Sequence, residues 1–337
     1  MTGKTYYDAC LAYDTSTVIG FQTSEEKPLL NPLGATVLGE HDQIIAISDD
    51  DDTVIMSSQI NTPIDDGVIK SAILAPLQPK NILILGWNSK TLMVIKELCG
   101  HVAEGSTITV AADSSEAQSQ VEQFSPPTNL TLEHRRIDPG NRRQLESLPF
   151  DAIDHVVIHP SYETEPGGSP ETLDKLDADT ILVLLNVHDI RDKSGSSLAI
   201  TVEILDLKNR ELIEGSENDD FIVSDQLVTL AISQISENKD LEPVFNTLFD
   251  SKGAEIYLKP VTNYVKTNHP VNFFAVVKSA LSQNETAIGY RIKAQSCVAS
   301  ALQGGKEMAY GVMLNPDKRN PINFVNEDAI IVLADNG

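Results

Sequence analysis

The chain has 337 residues, enough for two or three domains and a sizeable core, and its 41% apolar and 22% charged residues are an ordinary globular balance. Its 49 acidic against 25 basic residues leave a net charge of −24, which repels phosphate backbones and anionic lipid surfaces and argues against a nucleic-acid partner. The surplus acid reads as a solubilising surface or an adaptation to salt, with attraction of cations as the alternative.

Residues 1 to about 75 alternate short strand candidates with turns and end in Thr53-Val54-Ile55-Met56 and a polar stretch, Ser57 to Ser71. Around Pro76 and Pro79 the chain changes character, as a linker does. Ile82 to Leu85 is then a continuous apolar strand stopping at Gly86, followed by helical spacing from Ser89 to Leu98 with Ser89 as N-cap. Thr107 to Ala112 is a second strand closed by Asp113; Leu130 to Leu132, continuing to Asp138, is a third, followed by a short helix from Arg142 to Leu148. His155 to Ile158 is a fourth strand. Asp177 to Asp189 is a helix with Ile181, Leu184, Leu185 and His188 on one face, and Ala199 to Leu205 and Phe221 to Val223 are further strands. This alternation predicts an α/β fold with a Rossmann-like, doubly wound parallel sheet. Two helices, Gln226 to Ile235 and Leu241 to Phe249, lead to a final stretch that reads mainly as strands from Glu255.

One cassette occurs at both ends of the chain. Ile19-Gly20-Phe21, Leu30-Asn31-Pro32 and the run from His41 to Asp49 match, in order, Ile288-Gly289-Tyr290, Leu314-Asn315-Pro316 and the run from Glu327 to Asp335. The spacing between landmarks differs, as loop-tolerant duplication of one small β module produces. Glycine allows a tight turn, an Asn-Pro pair fixes the next one, and an acidic turn launches a buried strand, Ile44 to Ile47 or Ile330 to Leu333. Two smaller β-rich lobes therefore bracket the central sheet along the sequence.

Chemistry-bearing patterns are few. The strand-to-helix turn reads Leu85-Gly86-Trp87-Asn88-Ser89-Lys90, where a dinucleotide fingerprint carries three glycines so that backbone can approach a pyrophosphate. Only Gly86 is present; Trp87, Asn88 and Lys90 are the candidates to line a nucleotide pocket, and Asp113 suits a ribose hydroxyl, against the simpler reading of an inherited sheet with a degenerate turn. Asp49, Asp50, Asp51 and Asp52 place four carboxylates in a row, the ligand type that hard cations such as Ca2+ take, although such a run is also a common solvated turn. A second acidic stretch holds Glu214, Glu217, Asp219 and Asp220. His155 and His159 sit four apart on one face of a strand without forming a metal pair, and His155 reads as a packing residue; Arg135, Arg136, Arg142 and Arg143 form a basic patch that suits an anionic ligand or an acidic neighbour, with surface pairing to Glu133 and Glu146 the simpler account. No GxSxG, HExxH, P-loop or Cys/His nucleophile pattern occurs, and no catalytic residue is expected. Cys10, Cys99 and Cys297 lie far apart without CxxC spacing, which suggests neither a disulfide framework nor a zinc knuckle and fits a reducing compartment. No apolar run approaches the roughly 18 residues a membrane span needs, and the N-terminus has no signal-peptide pattern, so this stretch is not expected to insert into a membrane.

The segment Asn81 to Asn88, the later Ile204-Leu205-Asp206 and Phe221 to Ser224, and the acidic cassette Ile45 to Thr53 together resemble the cytosolic portion of Castor/Pollux-type ion channels, within the wider group carrying RCK domains, the regulators of potassium conductance. The resemblance implies a tandem RCK region. Residues 1–75 would be the C-terminal lobe of a first RCK domain, 80–250 the Rossmann-like lobe and crossover helices of a second, and 251–337 its C-terminal lobe. It also implies pore helices and a first Rossmann lobe elsewhere in a full-length channel, a place at the cytoplasmic face of a membrane, and assembly as a homo-oligomer, a tetrameric gating ring or a dimer in isolation. Ca2+ and nucleotide control are what the family suggests for ligands. Two rival readings are a soluble regulatory subunit of a potassium transporter and an NAD-dependent oxidoreductase.

Overall fold

A computed structural model describes the chain except residues 26, 58–62, 71–77, 128–129, 163–169, 197, 211–218, 251–252, 297–300, 304–305 and 336–337. Glu214 and Glu217 of the second acidic stretch, and Cys297, fall outside the described residues. The chain forms two compact units, one made from both ends, Met1–Ala75 with Asp240–Gly337, and one from the middle, Pro76–Lys239.

The first end opens with a helix the strand-and-turn reading did not anticipate, α1 (Tyr6–Leu11), nucleated by a capping box in which Thr5 and Asp8 satisfy each other's backbone N–H groups. Strands β1 (Thr17–Gln22), β2 (Pro28–Leu30) and β3 (Gln43–Ile47) follow as an antiparallel sheet of order β2-β1-β3. Register in β1 shifts between Val18 and Gly20, a bulge that leaves Ile19 out of the β3 ladder. Gly20 is required there, because a Cβ would collide with the Leu29 carbonyl.

The middle unit is the doubly wound sheet. It runs β4 (Asn81–Leu85), α2 (Thr91–His101), β5 (Thr107–Ala111), α3 (Ser115–Gln123), β6 (Thr131–Arg135), α4 (Arg142–Leu145), β7 (His155–Ile158), α5 (Pro170–Ser194), β8 (Ala199–Ile204), α6 (Leu207–Arg210), β9 (Asp219–Val223) and α7 (Ser224–Glu237). The six strands are parallel in the order β6-β5-β4-β7-β8-β9, so strand order reverses between β4 and β7. The central strands bury apolar residues on both faces because helices cover both: Ile82, Ile84 and Ile108 pack with Ile95 of α2, while Leu83, Leu85 and Val156 pack with Leu184 and Val187 of α5. The buried face of α5 carries Asp177, Thr180, Val183, Leu184 and Val187; Leu185, expected on that face, is exposed. Asp177 is buried but not orphaned, since its carboxylate accepts from the Leu205 and Asp206 amides and Asn209 Nδ2, tying α5 to the end of β8.

The chain then returns to the first unit through α8 (Leu241–Phe249), β10 (Glu255–Pro260), β11 (Pro270–Asn272), α9 (Phe273–Ser282), β12 (Thr286–Arg291), β13 (Ala301–Gln303), β14 (Lys306–Met308), β15 (Val312–Leu314), β16 (Pro321–Asn323) and β17 (Ala329–Ala334). The main sheet is antiparallel, order β10-β17-β12-β15, so β15-β12-β17 repeats the topology of β2-β1-β3. The repetition extends to detail. Register shifts between Ala287 and Gly289, a Cβ on Gly289 would strike the Met313 carbonyl, and Asn31 and Asn315 share φ of 47°. Each asparagine amide donates to the carbonyl of the bulged isoleucine, Asn31 to Ile19 and Asn315 to Ile288, at 2.9 and 3.0 Å.

The two copies also exchange bonds. Thr286 Oγ1 donates to Asn31 Oδ1 at 2.8 Å and Thr17 Oγ1 to Asn315 Oδ1 at 3.0 Å. Asn31 Nδ2 reaches the Asn284 carbonyl and Asn315 Nδ2 the Thr15 carbonyl, at 3.0 and 2.8 Å. Ile19 and Ile288 meet in one apolar cluster with Leu30, Ile331 and Leu333, and a larger core joins α1, β1, α9, β12 and β17. Burying these amide and hydroxyl groups is tolerated because each copy completes the other's hydrogen bonds.

Candidate functional site

The polar residues of the middle unit gather where ligands of open α/β sheets bind, at the carboxyl ends of the strands. Two sites adjoin there.

The first is a buried network around Glu203, the penultimate residue of β8, which is only 7% exposed. Lys90 Nζ donates to its Oε1 at 2.9 Å, Ser224 Oγ to the same oxygen at 2.6 Å, and His159 Nδ1 lies 3.0 Å from Oε2. Burial pushes the Glu203 carboxyl up, but the bonds from His159, Ser224 and Lys90 outweigh it and hold the group well below the usual carboxylate range. His159 is 7% exposed, and its Nε2 has no hydrogen-bond partner among the described residues.

The second is a cleft of about 320 Å³ lined by Trp87 after β4, Ala112, Asp113 and Ser114 after β5, Asp138 and Pro139 after β6, and Ser161 and Tyr162 after β7. Asp113 Oδ1 accepts from Arg136 Nε at 2.9 Å, Asp138 Oδ1 from the Gly140 amide, and Ser114 Oγ caps α3 by accepting from the Ala117 amide.

Between them, the reversal point of the sheet is filled by the protein's own chain. The strap His159–Tyr162 lies over the β4–α2 turn: the His159 amide donates to the Leu85 carbonyl at 2.8 Å, the Tyr162 amide to the Trp87 carbonyl at 3.0 Å, and Asn88 Nδ2 to the Pro160 carbonyl at 3.0 Å. Gly86, at φ of 95°, is needed because a Cβ would run into the His159 carbonyl and Ser161 Oγ. The amides of the turn are engaged as well, Trp87 N by Ser161 Oγ, Asn88 N by Thr91 Oγ1 and Lys90 N by Asn88 Oδ1, at 3.4, 3.0 and 2.9 Å. The residue preceding α2 is accordingly Lys90, not the expected cap Ser89, and the side chain that orders this entry is Asn88.

Of the five candidate nucleotide residues, then, Trp87 and Asp113 share the cleft, Gly86 makes room for the strap, and Asn88 and Lys90 turn onto the strap and Glu203. Sequence reasoning missed Glu203, Ser224 and the strap; the available signal was a carboxylate inside the apolar strand Ala199-Ile-Thr-Val-Glu-Ile204, which a buried parallel strand keeps only with partners. His155 sits apart from His159, with Nε2 2.9 Å from Thr201 Oγ1. Arg135 and Arg142 pair as expected with Glu133 and Glu146, Arg142 also reaches Asp189, and Arg136 pairs with Asp113 instead. Asp49, Asp50 and Asp52 are exposed in a turn whose 3-10 segment covers Asp51–Thr53, anchored by Thr53 Oγ1 donating to the Asp50 carbonyl. Among the described residues no three His, Cys, Asp or Glu side chains converge as metal ligands.

Residues 1–65 match the family model described as Castor and Pollux, part of voltage-gated ion channel. A probable ion channel CASTOR from Oryza sativa subsp. japonica is 25% identical over 328 residues, covering 87% of this chain and 36% of the relative. A probable ion channel POLLUX from Arabidopsis thaliana is 25% identical over 371 residues, covering 99% of this chain and 42% of the relative. The chain is similar to the Castor and Pollux ion channels. It spans about two fifths of the length of these Castor and Pollux relatives. The human SLO3 gating ring, at 10% identity, matches 98% of this chain and 64% of its own with a TM-score of 0.65, a likeness of fold. The relatives are channels, and among the described residues no helix is long and apolar enough to cross a membrane.

Proposed function

We propose that this chain is the ligand-sensing, gating-ring region of a cation channel, working at the cytoplasmic face of a membrane and assembling as a homo-oligomer with the pore of the same full-length protein. The observation that carries the reading is the paired β modules of the end-derived unit, within a fold like a gating ring and a sequence like Castor and Pollux. In this reading residues 1–75 are the C-terminal lobe of one RCK domain, 80–250 the Rossmann-like lobe and crossover helices of a second, and 251–337 its C-terminal lobe. Bonds exchanged between Asn31 and Asn315 and their threonine partners then couple two RCK domains within one chain.

Gating follows from differential affinity. A ligand opens the pore only by binding the open arrangement more tightly than the resting one, and a hundredfold preference is worth about 2.7 kcal/mol per site. The cleft between Trp87, Asp113 and Tyr162 is the sensing site of this reading, with a nucleotide-related ligand. Calcium at Asp49 to Asp52 enters as a contact whose remaining ligands come from a neighbouring subunit, a divalent ion relieving carboxylate repulsion in one arrangement.

The test is single-channel recording from the full-length protein in excised patches, with calcium, adenosine and NAD applied in turn to the cytoplasmic side. Open probability should change with at least one of them, and Asn31→Ala should weaken the response. A pore that ignores all three, or one whose response survives deletion of this whole region, overturns the reading.

A further inference from the structure

The internal repeat supplies a control for the surfaces of the end-derived unit, and one surface departs from it. Strands β3 and β17 match residue for residue in their pairing with β1 and β12: Ile47 stands opposite Thr17 as Leu333 does opposite Thr286, and Ile45 opposite Gly20 as Ile331 does opposite Gly289. Yet β17 has a second neighbour, β10, paired along its length, whereas no described strand pairs with the other edge of β3. Burial follows the difference, since Ile330 to Leu333 are all buried and Ile44 to Ile47, at the same positions, are only half-buried. The difference extends to a helix. Helix α8, which leads into β10, shares a cluster with Ile331 and Leu333 through Val244 and Leu248 and lies against β2 of the first copy, where Leu30 is 6% exposed. Leu314, which stands in the second copy where Leu30 stands in the first, is 46% exposed.

The two outer strands are also defended differently. β10 carries Glu255, Lys259 and Pro260, the charges and the proline with which an edge strand avoids further pairing. β3 reads Gln43-Ile44-Ile45-Ala46-Ile47, uncharged and without proline, a run open to strand addition. We infer that the free edge of β3 and the apolar ground of Ile45, Ile47 and Leu314 receive a helix–strand segment of the kind formed by residues 241–260, its strand antiparallel to β3 and its helix crossing onto Leu314, and that the part of the full-length protein N-terminal to this chain supplies it. The order of the repeat names the source. Helix α8 and strand β10 precede α9, which packs on β12 as α1 packs on β1, and residues 1–5 are too few to form both elements ahead of α1. The Castor and Pollux relatives, of which the matched stretch is 36% and 42%, extend well beyond it. Resting on the reading of this chain as one region of a longer channel, such docking ties the first module to what lies ahead of it through main-chain hydrogen bonds and buried apolar contacts.

Amide hydrogen exchange in this chain and in the full-length protein tests the docking. In this chain alone the outward-facing amides of β3 should exchange at least about a hundredfold faster than the matching amides of β17, and in the full-length protein the gap should close to within about tenfold. Leu314→Glu should leave the urea midpoint of this chain unchanged, since the side chain is exposed, yet speed β3 exchange at least about tenfold in the full-length protein. Amides of β3 that exchange as fast in the full-length protein as in this chain overturn the inference. So does protection of β3 that appears in this chain as its concentration rises, which would make a second copy the occupant. Protected β3 amides in a channel that ignores calcium, adenosine and NAD would instead count against the sensing role and leave the docking surface standing.

Discussion

The two β modules of the end-derived unit share a skeleton and differ in what they carry. Gly20 and Gly289, Ile19 and Ile288, and Asn31 and Asn315 occupy the same positions in the same three-stranded topology. Three residues beyond each asparagine the copies part: the first has Gly34, the second Lys318. Both carbonyls accept from the start of a helix, Gly34 from the Tyr7 amide and Lys318 from the Phe273 amide, so the backbone role is retained. The side chain of Lys318 is an addition, 1% exposed, with its ammonium donating to the Tyr13 and Ser16 carbonyls of the other copy at 2.6 and 2.5 Å and lying over the Phe274 ring. What the modules hold in common is what backbone geometry demands, and what distinguishes them binds one to the other.

That comparison breaks most sharply at the glycines. Gly20→Ala and Gly289→Ala should each cost about 3 kcal/mol or more, because the obstacle is a carbonyl and not a movable side chain. Urea denaturation of the two variants checks it, and a copy that tolerates alanine would show that the bulges are not equivalent.

Next come the asparagines. Asn31→Ala and Asn315→Ala should each cost about 2–3 kcal/mol, combining lost buried hydrogen bonds with alanine at positive φ. Asn→Gly at the same sites should recover about 1 kcal/mol of that, the backbone share, in a thermal or urea melt.

Lys318→Met probes the asymmetry, and about 2 kcal/mol should be lost at neutral pH as two buried carbonyls go unpaired. Burial pulls the Lys318 ammonium down from 10.5 to about 8, against the weaker opposing pull of Cys10, Asp14 and Asp317. A lowered lysine value means the unfolded chain binds more protons between those limits, so the penalty is full below pH 8 and relieved as pH rises towards 10.5. Native protein should therefore gain stability relative to Lys318→Met across that window, measured as the difference between paired melts. The comparison is needed because the Cys10 thiol, pushed up to about 12 by burial, works in the opposite direction above pH 9 in both proteins.

The smallest effect belongs to the acidic turn after β3. Asn at Asp49, Asp50 and Asp52 together should change stability by less than about 0.5 kcal/mol, since these side chains are exposed. A larger change on adding calcium to the native chain than to the triple variant would locate cation binding there.

The parallel sheet was legible because buried strands such as Ile82 to Leu85 are apolar without interruption, and glycines and asparagines announce turns. Helix α9 was not, since Phe273-Phe-Ala-Val-Val is an aromatic and β-branched run that reads as a strand; the cap decides, with Asn272 Oδ1 accepting from the Ala275 amide. The candidate site was half legible. Trp87 and Asp113 follow directly from their places after strands, whereas Glu203 and the strap depend on β7 lying beside β4 and β8 beyond β7, and the pairing of β4 with β7, over 70 residues apart, leaves no local mark. The bonds between copies share that difficulty, with Thr17 and Asn315 separated by 298 residues.

Because one unit is assembled from both ends of the chain, its first part leaves the ribosome long before its partner exists. Synthesis of Pro76–Lys239 at about 5–20 residues per second takes on the order of ten to thirty seconds. Throughout that interval Asn31 lacks Thr286 and β1 lacks half its core, while the middle unit can already close on itself. Residues 1–75 must wait as an incomplete half until Asp240–Gly337 have been made.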